Sequence, residues 1–138
     1  MILTRTLGIA LLVLPGLAAW AGGPPRHAAQ QSPFGDVTLT ATPSRYEGKC
    51  PVRIHFAGKV GVTVHPMAFN YLFERSDGAK SQLKVIRVTN PNAQTIGVHE
   101  WWQLGGAGQH LQVWEKLHVA SGNTRIESNQ AGAEIICK

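Results

Sequence analysis

The motifs that announce catalysis are missing from this chain. It has no Gly-x-Ser-x-Gly elbow, and its glycine run Gly105-Gly-Ala-Gly108 lacks the Lys-Ser/Thr that completes a phosphate loop. Six histidines are present, yet none forms an HxH or HExxH pattern, and a zinc site needs three or four converging ligands. No cofactor motif is found, so none is expected. Cysteine is scarce: Cys50 and Cys137 are the only two, with no CxxC spacing. The basic residues, from Arg45 through Arg53, Lys59 and Arg87 to Arg125, are scattered. No arginine-rich stripe alternates with stacking aromatics, which argues against a nucleic-acid partner. Nor does any apolar run reach the length that spans a bilayer as a helix.

What is present begins with a leader. Arg5 precedes the apolar run Leu7-Gly-Ile-Ala-Leu-Leu-Val-Leu14, Pro15-Gly16 breaks it, and Ala19-Trp20-Ala21 has the small-x-small pattern of a signal-peptidase cut. Residues 1–21 therefore read as a signal peptide, and the protein is expected to be exported, to a periplasmic or extracellular compartment. After cleavage no membrane span remains. Residues 22–36, opening Gly22-Gly-Pro-Pro25, have no apolar period and read as a flexible leader. Residues 37–138 form one domain of ordinary size. In an exported chain an even cysteine count argues for one disulfide, Cys50–Cys137; two reduced thiols or a metal pair are the alternatives.

Within the domain the hydrophobic period is two, and no segment carries a helical one. Phe69, Tyr71 and Phe73 share one parity, so an extended chain puts three rings on one face before the turn Ser76-Asp77-Gly78. This stretch is expected to be the central strand. Val37–Thr42 alternates ahead of it, as does Cys50–Ala57 with Val52, Ile54 and Phe56 inward and Arg53 and His55 outward. Residues 43–49 read as a connection and 58–66 as a loop or short strand. Ser81–Thr89 follows, with Ile86 and Val88 inward. Gln94–Leu104 places Ile96, Val98, Trp102 and Leu104 on one face, and Gln109–Val119 does so with Leu111, Val113, Leu117 and Val119. A last strand carries Ala131, Ala133, Ile135 and Cys137. Seven short strands at regular spacing predict an all-β sandwich or barrel.

The stretches Ala41-Thr-Pro-Ser-Arg-Tyr-Glu-Gly-Lys-Cys-Pro51, Tyr71-Leu-Phe-Glu-Arg-Ser-Asp-Gly-Ala79, Trp102-Gln-Leu-Gly105, Trp114-Glu-Lys-Leu117 and Ser128-Asn-Gln-Ala131 together resemble bacterial secreted immunoglobulin-like modules, related in shape to fibronectin type III domains. The resemblance implies a seven-stranded immunoglobulin-like β-sandwich with a terminal disulfide, and no particular activity. Two departures stand out: Phe73 sits where such modules tend to carry Trp, and Glu115 where they tend to be apolar.

Glu115 shares parity with Leu111, Val113, Leu117 and Val119, as Glu100 does with Ile96, Val98 and Trp102. A buried, unpaired carboxylate is expensive. A β-bulge that turns each outward, or pairing with Arg75 or Arg87, is the expected resolution; a catalytic carboxylate pair is the competing one. Trp101 falls on the outward parity beside inward Trp102, and Trp114 on that of Gln112 and Lys116. Two exposed indoles are candidate ligand-binding residues. The reading that results is a non-catalytic exported module for protein or cell-envelope interaction. A carbohydrate-binding module using Trp101 and Trp114 is the alternative, and a small metal-dependent hydrolase using the histidines with Glu100 and Glu115 is a second.

Overall fold

The computed structural model describes residues 31–138. The expected signal peptide and most of the leader lie outside the described residues. What is described is all-β, in nine strands: β1 (Phe34–Thr42), β2 (Arg45–Gly48), β3 (Val52–Val62), β4 (Met67–Arg75), β5 (Lys84–Val88), β6 (Thr95–Leu104), β7 (His110–Ser121), β8 (Thr124–Glu127) and β9 (Ala131–Cys137). They form a sandwich. One sheet has the order β1-β3-β6; the other has the order β2-β9-β7-β4-β5, with β8 pairing the C-terminal half of β7 beyond the end of β9. Among the described residues no helix is long and apolar enough to cross a membrane.

The alternating residues do what a pleated strand requires. Ile54, Phe56 and Val60 of β3 are fully buried, as are Leu117 of β7 and Ile135 of β9. Phe69 and Phe73 are 1% and 2% exposed, and the ring of Tyr71 meets Phe73 edge-on with centroids 6.1 Å apart. Phe34 adds a fourth ring, edge-on to Phe69 at 5.8 Å. Strand β1 thus begins three residues before the expected domain start, because Phe34 belongs to the core. Phe73→Ala should cost about 3–5 kcal/mol, the loss typical of a large aromatic in a packed core. Arg53→Ala, outward on β3, should cost under about 1 kcal/mol. Urea denaturation midpoints compare the two, and equal shifts would mean that the faces are reversed.

Three expectations are corrected. The strand count is nine rather than seven. Strands β2 and β8 have four residues each and little apolar alternation; they exist through backbone pairing, β2 parallel to β9 and β8 antiparallel to β7. The segment after Ala57, expected as a loop or a separate short strand, is a continuation of β3 to Val62. A glycine at position 58 hides that continuity, yet packing demands it: a Cβ there would lie 2.7 Å from Leu117 Cδ2 and 2.9 Å from Val98 Cγ2. Finally, β4 is not the central strand. That place belongs to β7, which pairs β4 on one side and β8 and β9 on the other.

Two devices join the sheets. Asn129, just before β9, clamps β1: the Leu39 N–H donates to Asn129 Oδ1 and Asn129 Nδ2 donates to the Leu39 carbonyl, both at 2.9 Å. The other is the Cys50–Cys137 disulfide. Gly105 takes a positive φ of 99° against it, where a Cβ would fall 2.8 Å from Cys137 Sγ and 2.9 Å from Cys50 Sγ.

Candidate functional site

The outer face of the β1-β3-β6 sheet is built by strand parity. Because Ile54, Phe56, Val98 and Trp102 go inward, Arg53, His55, His99 and Trp101 must go outward. The antiparallel register then sets them side by side, with Arg53 opposite Gln103, His55 opposite Trp101 and Ala57 opposite His99. Trp101 is 51% exposed but not free-standing. The His55 imidazole stacks on its indole with centroids 4.3 Å apart and planes 27° from parallel. The Arg53 guanidinium lies 4.8 Å from the same ring centroid. His99 extends the group, 5.6 Å from the His55 ring.

Trp114 is elsewhere. It lies on β7 in the other sheet, opposite Gly132 of β9, and is half-buried with Lys116 Nζ 5.9 Å from its ring. Outward residues of opposed sheets point away from each other, so Trp101 and Trp114 cannot form one patch. The Gly105–Gly108 turn carries the chain from β6 across to β7 in the second sheet.

Glu100 and Glu115 are not bulged outward. The β6 and β7 registers run without interruption through both residues, with Glu100 opposite Phe56, and Glu115 between Arg75 and Ala131. Glu115 is fully buried and neither of its oxygens has a hydrogen-bond partner; Glu100 Oε2 is also buried without one. Burial first, then the neighbouring Glu100 carboxyl, pushes the Glu115 carboxyl up to about 9, with Arg75 opposing the rise. Two ionised carboxylates can only accept, so a single proton lets one donate to the other. Glu115 is therefore the protonated, neutral member at neutral pH, which resolves the expense that seemed to demand a bulge.

Arg75 completes this end of the interior. It continues the inward parity of Phe69, Tyr71 and Phe73, and its guanidinium sits 4.1 Å from the Trp102 ring centroid. Arg75 Nη2 also pairs with Asp77 at 3.0 Å. Arg87, the other partner considered, is exposed on β5. Of the two arginines expected near these carboxylates, Arg75 is the one whose charge acts on Glu115, and its inward parity is legible in Phe69-x-Tyr71-x-Phe73-x-Arg75.

Four of the five histidines among the described residues are divided between the two outer faces; His65 lies in the loop after β3, hydrogen-bonded to the Ala93 carbonyl. His55 and His99 stand on the first sheet. His110 and His118 stand on the second, paired with Glu134 at 3.0 Å and with Glu74 and Glu127 at 3.5 and 3.4 Å. Among the described residues no three His, Cys, Asp or Glu side chains gather to hold a metal ion. A groove of about 580 Å³ on the second sheet is bordered by Leu72, Leu83, His118, Arg125 and Glu127. His118 and Glu127 there are already engaged with each other and with Glu74 and Lys116.

No protein-family model and no curated protein matches this sequence. Among solved structures the fold is similar to the CARDB domain of a Pyrococcus furiosus protein, determined in complex with di-metal ions. The likeness has a TM-score of 0.54 at 8% identity, over 78% of this chain and 99% of that one. The fold is an immunoglobulin-like β-sandwich. At that identity the likeness speaks to architecture alone.

Proposed function

We propose that this domain is a non-catalytic, exported binding module that engages a protein or cell-envelope component through the outer face of the β1-β3-β6 sheet, with Trp101 as its anchor. One observation carries the reading: a large indole is half exposed and yet held in place by His55 and Arg53. A ring fixed before binding loses little conformational entropy on contact, and Trp and Arg are the residue types that dominate binding energy. A non-catalytic role is supported by the closed position of Glu100 and Glu115 between the sheets and by the division of the histidines between opposite faces. Export is supported by the leader at residues 1–21 and by the Cys50–Cys137 bridge, which suits an oxidising compartment.

The test is retention of the purified full chain on envelope fractions of its source cell, comparing wild type, Trp101→Ala and Trp114→Ala. Trp101→Ala should lower apparent affinity by about 30-fold or more, the loss expected of an anchoring tryptophan. Trp114→Ala should bind as wild type. Equal binding by all three would remove Trp101 as the anchor.

A further inference from the structure

We infer that the partner of the β1-β3-β6 face is an acidic polysaccharide, laid along β3 with its acid groups on Arg53 and Lys59. This rests on the reading of that face as the binding surface and adds the chemistry of what it binds.

The first observation is charge. Every ion pair among the described residues belongs to the other sheet and its adjoining loops and terminus, from Arg45–Glu134 and Lys116–Glu127 to Lys138–Glu47. On the β1-β3-β6 face, the outward residues of 38–42, 53–59 and 97–103 include no carboxylate: Thr38, Thr40 and Thr42 on β1, Arg53, His55, Ala57 and Lys59 on β3, and Gly97, His99, Trp101 and Gln103 on β6. Asp36 stands beyond this strip, at the Lys59 end. Neither Arg53 nor Lys59 makes an ion pair among the described residues, and with Asp36 the sole carboxylate at one end of a face that is otherwise neutral or basic, the complement is an anion.

Spacing is the second observation. Arg53 and Lys59 are six residues apart on one strand, about 20 Å at the rise of an antiparallel sheet. Between them stand the His55–Trp101 stack and His99, and toward Lys59 the surface falls away. Ala57 contributes a methyl group, and Gly97, opposite Lys59, has open space where a Cβ would be. An extended chain carrying acid groups at intervals fits this strip; a single small anion would meet only one cation.

The third concerns the class of polyanion. The groups flanking the strip are the hydroxyls of Thr38, Thr40 and Thr42 and the Gln103 amide, which exchange hydrogen bonds with neutral hydroxyls. A sugar acid supplies such hydroxyls between its carboxylates. Nucleobase stacking is disfavoured, because His55 already occupies a face of the indole. Trp101 instead holds the guanidinium, whose planar fork suits a carboxylate.

The experiment measures binding of the full chain to polygalacturonate oligomers by titration calorimetry, at low and physiological salt. Neutral dextran, polyglutamate and single-stranded DNA serve as comparison probes. Polygalacturonate should bind best of the four and weaken as salt rises. Arg53→Ala and Lys59→Ala should each reduce its affinity about tenfold, as loss of a charge-assisted contact does; Lys116→Ala, on the other sheet, should not. The inference is overturned if polygalacturonate does not bind, if polyglutamate or DNA binds as tightly, or if Arg53→Ala binds as wild type. Should envelope retention still depend on Trp101 while polygalacturonate fails, the face remains the binding surface and the acidic glycan is the wrong partner. Should retention be indifferent to Trp101 as well, both readings fall.

Discussion

Glu115→Gln should abolish most of a pH dependence that the wild-type domain shows between about pH 5 and 9. The Glu115 carboxyl is raised to about 9 in the folded state, so the fold holds this proton more tightly than the unfolded chain does. Stability from this group is complete below its ordinary value of 4.5 and is lost as pH rises toward 9. Each pH unit in that window removes up to about 1.4 kcal/mol, so the loss by neutral pH is on the order of 3 kcal/mol. The groups that face the carboxyl are Glu100 from β6, Arg75 from β4 and Asp77 from the turn after it, while β9 presents only Ala131. Gln fills the same volume and stays neutral, so the variant should match or exceed wild type at pH 8–9 and show a nearly flat denaturation midpoint across the window. Glu47, Asp77 and Glu134 have carboxyls lowered chiefly by Lys138, the Ala79 N–H and His110 respectively. Their contributions disappear as pH falls through the carboxylate range, at the opposite end of the scale. A wild-type midpoint that stays level or rises between pH 5 and 9 would mean that Glu115 is ionised inside the fold.

The second large effect belongs to the disulfide. Cys50 precedes β3 and Cys137 ends β9, 87 residues apart in sequence, so the bridge closes nearly the whole domain into one loop. The chain-entropy stabilisation for such a loop is on the order of 4–5 kcal/mol. Two hydrogen bonds hold the same end of β9 without it, from the Cys137 N–H to the Gln109 carbonyl and from the Lys138 N–H to the Gly48 carbonyl, each 2.8 Å. The double variant Cys50→Ser/Cys137→Ser should therefore keep its β-sheet circular dichroism at low denaturant while unfolding at a much lower guanidinium midpoint. Non-reduced mass spectrometry of the wild-type protein should find no free thiol. A midpoint unchanged by adding reductant would contradict this role for the bridge.

Much of this architecture is local, and local features are legible in a sequence. Side-chain direction in a strand repeats every two residues, so Val52-x-Ile54-x-Phe56 and Phe69-x-Tyr71-x-Phe73 reveal their buried faces without reference to any neighbour. The same parity correctly sends Trp101 out and Trp102 in. Where side chains do not alternate, the signal fails: β2 and β8 form because a partner strand offers backbone groups, and Gly58 erases the pattern of β3 where Leu117 of the other sheet leaves no room for a Cβ.

The pairing of faces is the other part that sequence cannot supply. Parity says that Glu115 shares the inward side of β7 with Leu117, but only the packing of β6 against β7 places Glu100 beside it, so that one shared proton removes the need for a bulge. Parity likewise leaves Trp101 and Trp114 both outward. Assigning β6 and β7 to opposite sheets separates them, while the β3–β6 register gives Trp101 its neighbours His55 and Arg53. The sequence by itself determined the seven alternating strands, their buried sides and the cysteine pair, because those depend on the two-residue repeat and on which residues are available. The tertiary structure alone decided which sides meet, since contacts between sheets join residues that no local period relates.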